Sequence, residues 1–125
     1  MACAIIGDSI AVGVAHFLPQ CTHQATVGIT AERYSTQVHK HNGLVIISLG
    51  SNLGANDEAH LREVRSKQSG SIVWLLPAVR DRNLIRKIAA EYGDRIVDVR
   101  DGGAGFRHIH PNGKGYERLA HEIIR

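Results

Sequence analysis

Five apolar segments punctuate the chain, near 3–6, 22–27, 44–49, 71–76 and 95–99. Several, such as Leu44-Val45-Ile46-Ile47-Ser48-Leu49 and Ile72-Val73-Trp74-Leu75-Leu76, are continuous rather than alternating, the pattern of strands buried on both faces. Between and after them, stretches near 10–17, 31–40, 57–67, 81–92 and 112–124 have helical character, and in the last Tyr116, Leu119 and Ile123 share one face. This alternation predicts βαβ units, a parallel sheet and right-handed crossovers, hence an α/β protein. Asn56-Asp57 and Asp81 stand where helix N-caps are expected, and Gln68-Ser69-Gly70 and Gly93 where helices should stop. Trp74, Tyr34 and Tyr92 are expected to pack rather than to bind.

At 125 residues the chain has room for one domain, 1–125, with a core able to stand without staples. Hydrophobic residues make up 43% and charged residues 22%, an ordinary balance for a soluble globular protein. The net charge of +3 is spread among acids and aromatics are only 5%, so the basic stripe and aromatic platforms of a nucleic-acid binder are missing and no such partner is expected. No run reaches the length of a membrane span, and Met1 to Ile6 has neither the basic start nor the apolar length of a leader. Cys3 and Cys21 precede two glycine-bounded strand ends at similar distances, so they can face each other on neighbouring strands; the expectation is a pair of buried free thiols, since free Cys behaves as a small core hydrophobe.

The chemistry gathers at the strand ends, where parallel α/β sheets bind ligands. The first apolar run passes through Gly7-Asp8 to Ser9 and opens onto a helix, placing a hydroxyl and an N–H where negative charge is welcome, although Asp-Ser is equally an ordinary cap. The second and third runs end in turns holding Gly28 and Asn52. Acyl transfer through a serine needs a nucleophile, a base and donors aimed at the oxyanion. The Ser9 N–H, the Gly28 N–H and the Asn52 amide are candidate donors, and a histidine before the Pro111-led helix is the candidate base. His108 and His110 also admit a metal pair, but without a carboxylate cluster or cysteine set the pattern is not that of a zinc site, and no metal or cofactor is expected.

Taken together, Gly7-Asp8-Ser9, Gly28 within Val27-Gly28-Ile29-Thr30, Gly50-Ser51-Asn52 and His110-Pro111-Asn112-Gly113-Lys114-Gly115-Tyr116 resemble the SGNH (GDSL-type) hydrolase family, in order and across nearly the whole chain. The resemblance implies a flavodoxin-like three-layer α/β/α sandwich with a five-stranded parallel sheet in the order 2-1-3-4-5. It also implies an ester hydrolase in which Ser9 is the nucleophile, His110 the general base and then acid, and Ser9, Gly28 and Asn52 the oxyanion hole. Two positions depart from the family pattern. Leu53 stands where Gly-x-Asn-Asp has its Asp, and Arg107 stands where an Asp precedes the catalytic histidine by three residues.

A carboxylate at that histidine sets its tautomer and stabilises the imidazolium, whereas a guanidinium would oppose it. Three arrangements therefore remain open. A backbone carbonyl orients His110 in a Ser-His dyad; Asp101 or Asp98 reaches it along the glycine-rich loop; or catalysis is weak or lost. Arg107 has its own reading as a bidentate holder of a substrate carboxylate or phosphate, with Arg80 beside it, against the plainer reading of a solvated loop arginine. Leu53 and Ile109 are the candidate apolar lining of the pocket. The expected activity is hydrolysis of short acyl esters, small-molecule or glycan-borne, with acetyl esters on carbohydrate foremost; the alternative is an SGNH-fold module that binds an anionic or glycan ligand without turning it over.

Overall fold

A computed structural model describes residues 2–52, 54–105 and 108–125. The elements run β1 (Cys3–Gly7), α1 (Ser9–Ala15), β2 (Thr22–Ala25), α2 (Ala31–Ser35), β3 (Leu44–Ser48), α3 (Asp57–Ser66), β4 (Ser71–Leu76), α4 (Arg82–Tyr92), β5 (Arg95–Asp98), a short 3-10 turn (Val99–Gly102) and α5 (Gly113–Ile124). All strand pairs are parallel, in the order β2-β1-β3-β4-β5. The expected α/β fold and strand order are therefore present, with helices on both faces of the sheet.

Successive side chains of a strand point to opposite faces, and here both faces are apolar. Ile5, Ile46, Val73, Leu75 and Val97 face α1 and α5, meeting Ile10, Val14, Leu119 and Ile123. Their neighbours Ile6, Val45, Ile47, Trp74 and Leu76 face α2, α3 and α4, meeting Tyr34, Leu61, Val64, Ile85 and Ile88. Burial on two sides explains why β3 and β4 are continuous apolar runs. At about 1.5–3 kcal/mol per fully buried large side chain, these two layers hold the strand ends rigidly enough to support a site.

Three expectations need correction. Cys3 and Cys21 are not free thiols but a disulfide: parallel pairing of Ala4 with Thr22 brings the preceding residues together, with Cα atoms 4.7 Å apart. Helix α2 ends at Ser35 instead of running to residue 40. The Ser35 and Thr36 hydroxyls donate to the carbonyls of Glu32 and Arg33, local bonds that satisfy the last turn and end the helix. Neither Asn56 nor Asp81 caps a helix through its side chain; both adopt left-handed backbone, with φ of 54° each. Gly93 does close α4 in the left-handed conformation, its N–H donating to Ala89 and Ala90 carbonyls.

Candidate active site

β1 delivers Ser9 through a turn that only glycine can make. Gly7 has φ of 136°, and a Cβ there would lie 1.8 Å from the Ser48 carbonyl oxygen of β3, a conformation and an approach closed to L side chains. The next N–H, of Asp8, donates to that same oxygen at 2.8 Å. The Asp8 carboxyl then turns back to cap α1, its Oδ1 accepting from the Ile10 N–H at 3.1 Å and from the Ser48 hydroxyl at 2.9 Å.

Asp8 is wholly buried. Burial raises its pKa, against the opposing pull of the Ser48 hydroxyl, the Ile10 N–H and nearby Ser51. Its Oδ2 has no hydrogen bond of good geometry. Asp8→Ala is expected to cost about 2 kcal/mol, the sum of a lost cap and a buried Ser48 hydroxyl left without its acceptor. Urea unfolding checks this; an unchanged midpoint would mean that the desolvation cost of the carboxylate cancels both contacts.

Ser9 is thus the first residue of α1, and its N–H has no acceptor within the helix. Its Oγ lies 2.7 Å from Nε2 of His110, a residue 101 positions later in the chain. His110 arrives on the loop between the 3-10 turn and α5. That loop is drawn together by reciprocal backbone bonds, Gly105 N–H to His108 C=O at 2.7 Å and His108 N–H to Gly105 C=O at 3.2 Å. Buried Pro111 follows the histidine, and Asn112 caps α5 by accepting from the Gly115 N–H at 2.8 Å. In the tautomer that carries its proton on Nδ1, Nε2 accepts from the serine hydroxyl at this distance.

Gly28 and Asn52 come from the strands flanking β1. The registers pair Gly7 with Ala25 of β2 and with Ser48 of β3, so the loops after both strands open beside Ser9. Gly28 has φ of 79°, and the direction of its missing Cβ meets nothing within 4 Å. Asn52 Nδ2 donates to the Ile29 carbonyl at 3.1 Å, tying the β3 loop to the Gly28 turn. One hydrogen of that amide remains for a further acceptor.

Asp98 does not orient His110. Its carboxylate is held by Arg82 at 2.9 and 2.7 Å and accepts from the Arg100 N–H. Burial works to raise the Asp98 pKa, but these contacts outweigh it and hold the carboxyl below its ordinary value. Asp101 is exposed, its carbonyl accepts from Arg118, and its charge bears on Arg82. Among the described residues no carboxylate pairs with His110. Arg107 and Leu53 lie outside the described residues. Ile109 is 40% exposed next to His110, and Arg80 is exposed after β4, where its charge acts on Asp81. Among the described residues no three His, Cys, Asp or Glu side chains gather as a metal cluster.

Ser48 was missed by the sequence reading, although a hydroxyl closing an otherwise apolar strand is a readable signal of a polar partner. A hollow of about 1090 Å³ opens at the opposite, amino end of the sheet, lined by Gly43, Leu44, Ser71, Tyr92 and Arg95, and touches neither Ser9 nor His110. The rim that holds Ser9 and His110 is instead an open surface, with Val27, Gly28, His108, Ile109 and His110 all exposed.

No family model matches the chain, and no curated protein matches it in sequence. Solved structures match it in fold. One is described as an acylhydrolase from Bacteroides fragilis, 14% identical with a TM-score of 0.64, the match covering 98% of this chain and 84% of that one. The chain shares its fold. Another is the C-terminal catalytic domain of the peptidoglycan O-acetyltransferase A of Streptococcus pneumoniae, with a methylsulfonyl adduct, 15% identical with a TM-score of 0.61 over 98% of this chain and 89% of that one. Both neighbours carry names of acyl-group chemistry. Among the described residues no helix is long and apolar enough to cross a membrane.

Proposed function

We propose that this chain is a single-domain serine esterase of SGNH type, acting on short acyl esters through Ser9 and His110. The observation that carries the reading is the 2.7 Å approach of Ser9 Oγ to His110 Nε2 at the carboxyl edge of the sheet. In the proposed reaction, His110 takes the proton of Ser9 as Oγ attacks the ester carbonyl. The oxyanion is received by the Ser9 N–H, the Gly28 N–H and the free hydrogen of Asn52 Nδ2. His110 then protonates the departing alcohol, and a water activated by the same nitrogen releases the acyl group.

With no carboxylate paired to His110 among the described residues, the reading is a Ser-His dyad, slower than a triad but supported by the oxyanion donors. The open rim favours an acyl group standing on a larger alcohol, and acetyl esters on carbohydrate fit it. Labelling of Ser9 by a fluorophosphonate probe, with p-nitrophenyl acetate cleaved faster than longer acyl homologues, is the expected result. No labelling, combined with measurable binding of a glycan or carboxylate, would instead favour the non-catalytic module.

Asn52→Ala is expected to lower kcat about 100-fold with little change in KM, as the loss of one oxyanion donor does. Steady-state kinetics on p-nitrophenyl acetate check it; an unchanged kcat removes Asn52 from the hole.

A further inference from the structure

We infer that Asp57 and Asp81 form a hydrogen-bonded carboxyl pair beneath the Gly50–Gly54 loop and act as positioning residues for Asn52. The inference rests on the reading of Asn52 as an oxyanion donor. Asp57 opens α3 and Asp81 precedes α4, yet the Asp81 side chain leaves its helix uncapped. It lies instead near Asp57, whose carboxyl, after burial, raises its proton affinity. Among the described residues Asn56 and Asp81 are the non-glycine positions with left-handed φ, one at the approach to each aspartate's helix. Such backbone persists only where the surroundings over-determine it.

Both ends of the Asn52 loop rest on this pair. A Cβ on Gly50 would sit 3.2 Å from Asp81 Cβ and 3.6 Å from its Oδ2, and one on Gly54 would sit 3.2 Å from Asp57 Oδ1. Asp57 Oδ1 and Asp81 Oδ2 are buried and accept from no protein donor. Two carboxylates so placed cannot both ionise without repulsion, whereas one shared proton joins them. Burial, then the contact with Asp57, pushes Asp81 up to about 6, against the charge of Arg80.

The surrounding charges are otherwise occupied or lie beyond the pair. Arg82 of α4 is turned to Asp98, Glu58 of α3 meets Arg62 and Lys87, and Asp8 lies by Ser51 in the same loop. Below about pH 6 the proton is held and the loop is seated. As pH rises through that value the proton leaves, two negative charges face each other under Gly50 and Gly54, and Asn52 loses its placement.

The test follows the Asn52 side-chain amide and the Gly50 and Gly54 N–H signals of the isotope-labelled whole chain by NMR between about pH 4.5 and 8.5. A step near pH 6 is expected in the wild type and absent in Asp81→Asn and Asp57→Asn, in which a permanent amide N–H takes the place of the shared proton and only one negative charge can form. Steady-state hydrolysis of p-nitrophenyl acetate is expected to show an alkaline loss of about tenfold in kcat, the free-energy equivalent of one pKa unit, with KM unchanged, and that limb should vanish in both amide variants. No step in the wild type, or a step that both amide variants retain, overturns the inference, and the wild-type titration decides even if a variant fails to fold. Hydrolysis that depends on Ser9 but shows one pH profile in all three proteins sinks the pair alone. A step at Asn52 with hydrolysis indifferent to Ser9 sinks the esterase reading and leaves the pair as a conformational device.

Discussion

Ser9→Ala is expected to reduce kcat for p-nitrophenyl acetate by about 1,000- to 10,000-fold, roughly 4–5.5 kcal/mol of transition-state stabilisation. The size follows from what the 2.7 Å contact can do. In the proposed esterase the hydroxyl and the imidazole act as one unit, since a nucleophile without its base keeps its proton and a base without its nucleophile has only water to activate. His110→Ala should therefore cost about as much as Ser9→Ala, and the double variant little more than either. Residual hydrolysis above background would come from the oxyanion donors, which all three variants retain. If Ser9→Ala keeps the wild-type rate, the hydroxyl is not the nucleophile; if the two single losses multiply in the double variant, the pair does not work as a pair.

The second large effect concerns the edge of the sheet. Replacing Cys3 and Cys21 together by Ala should cost about 3 kcal/mol, the chain-entropy value for a crosslink closing a loop of this size, the cysteines being 18 residues apart in sequence. For a chain of 125 residues that is a fall in Tm of about 10 °C. β2 is short, exposed at Thr22 and His23, and paired on one side only, to β1. Its own burial therefore contributes little, and the crosslink holds the strand that leads to Gly28 against the strand that leads to Ser9. Wild-type protein in reductant should unfold at the midpoint of the Ala variant. Coincident midpoints for oxidised wild type and the variant would show that the bond does not constrain the unfolded chain.

The strands that run through the middle of the sheet were legible because burial on two faces leaves no alternative to a continuous apolar run, as at Val45 to Leu49 and Ile72 to Leu76. α4 was legible for the opposite reason: Ile85, Ile88 and Ala89 are buried along one stripe, while Arg82, Asn83, Arg86, Lys87 and Glu91 supply the polar positions between. α2 was misread at its end because Ser35 and Thr36 bond backward to the backbone, a choice that propensity over ten residues does not reveal. The candidate site was legible as four short blocks, each ambiguous alone. That Asp98 is spent on Arg82 was not, because nothing local distinguishes an acid aimed at a histidine from one aimed at an arginine 16 positions earlier.

Composition and periodicity by themselves determined the alternation of strand and helix, the parallel sheet, and the placing of Ser9, Gly28 and Asn52 at strand ends, because those follow from which residues must be buried and which turns need glycine. Only the tertiary structure decided the partnerships: Ser9 with His110 across 101 residues, Cys3 with Cys21, and Asp8 with Ser48. The physical reason is that hydrogen bonds and carboxyl contacts are set within a few ångströms, and such distances exist only after the two apolar layers have fixed the order and register of the strands.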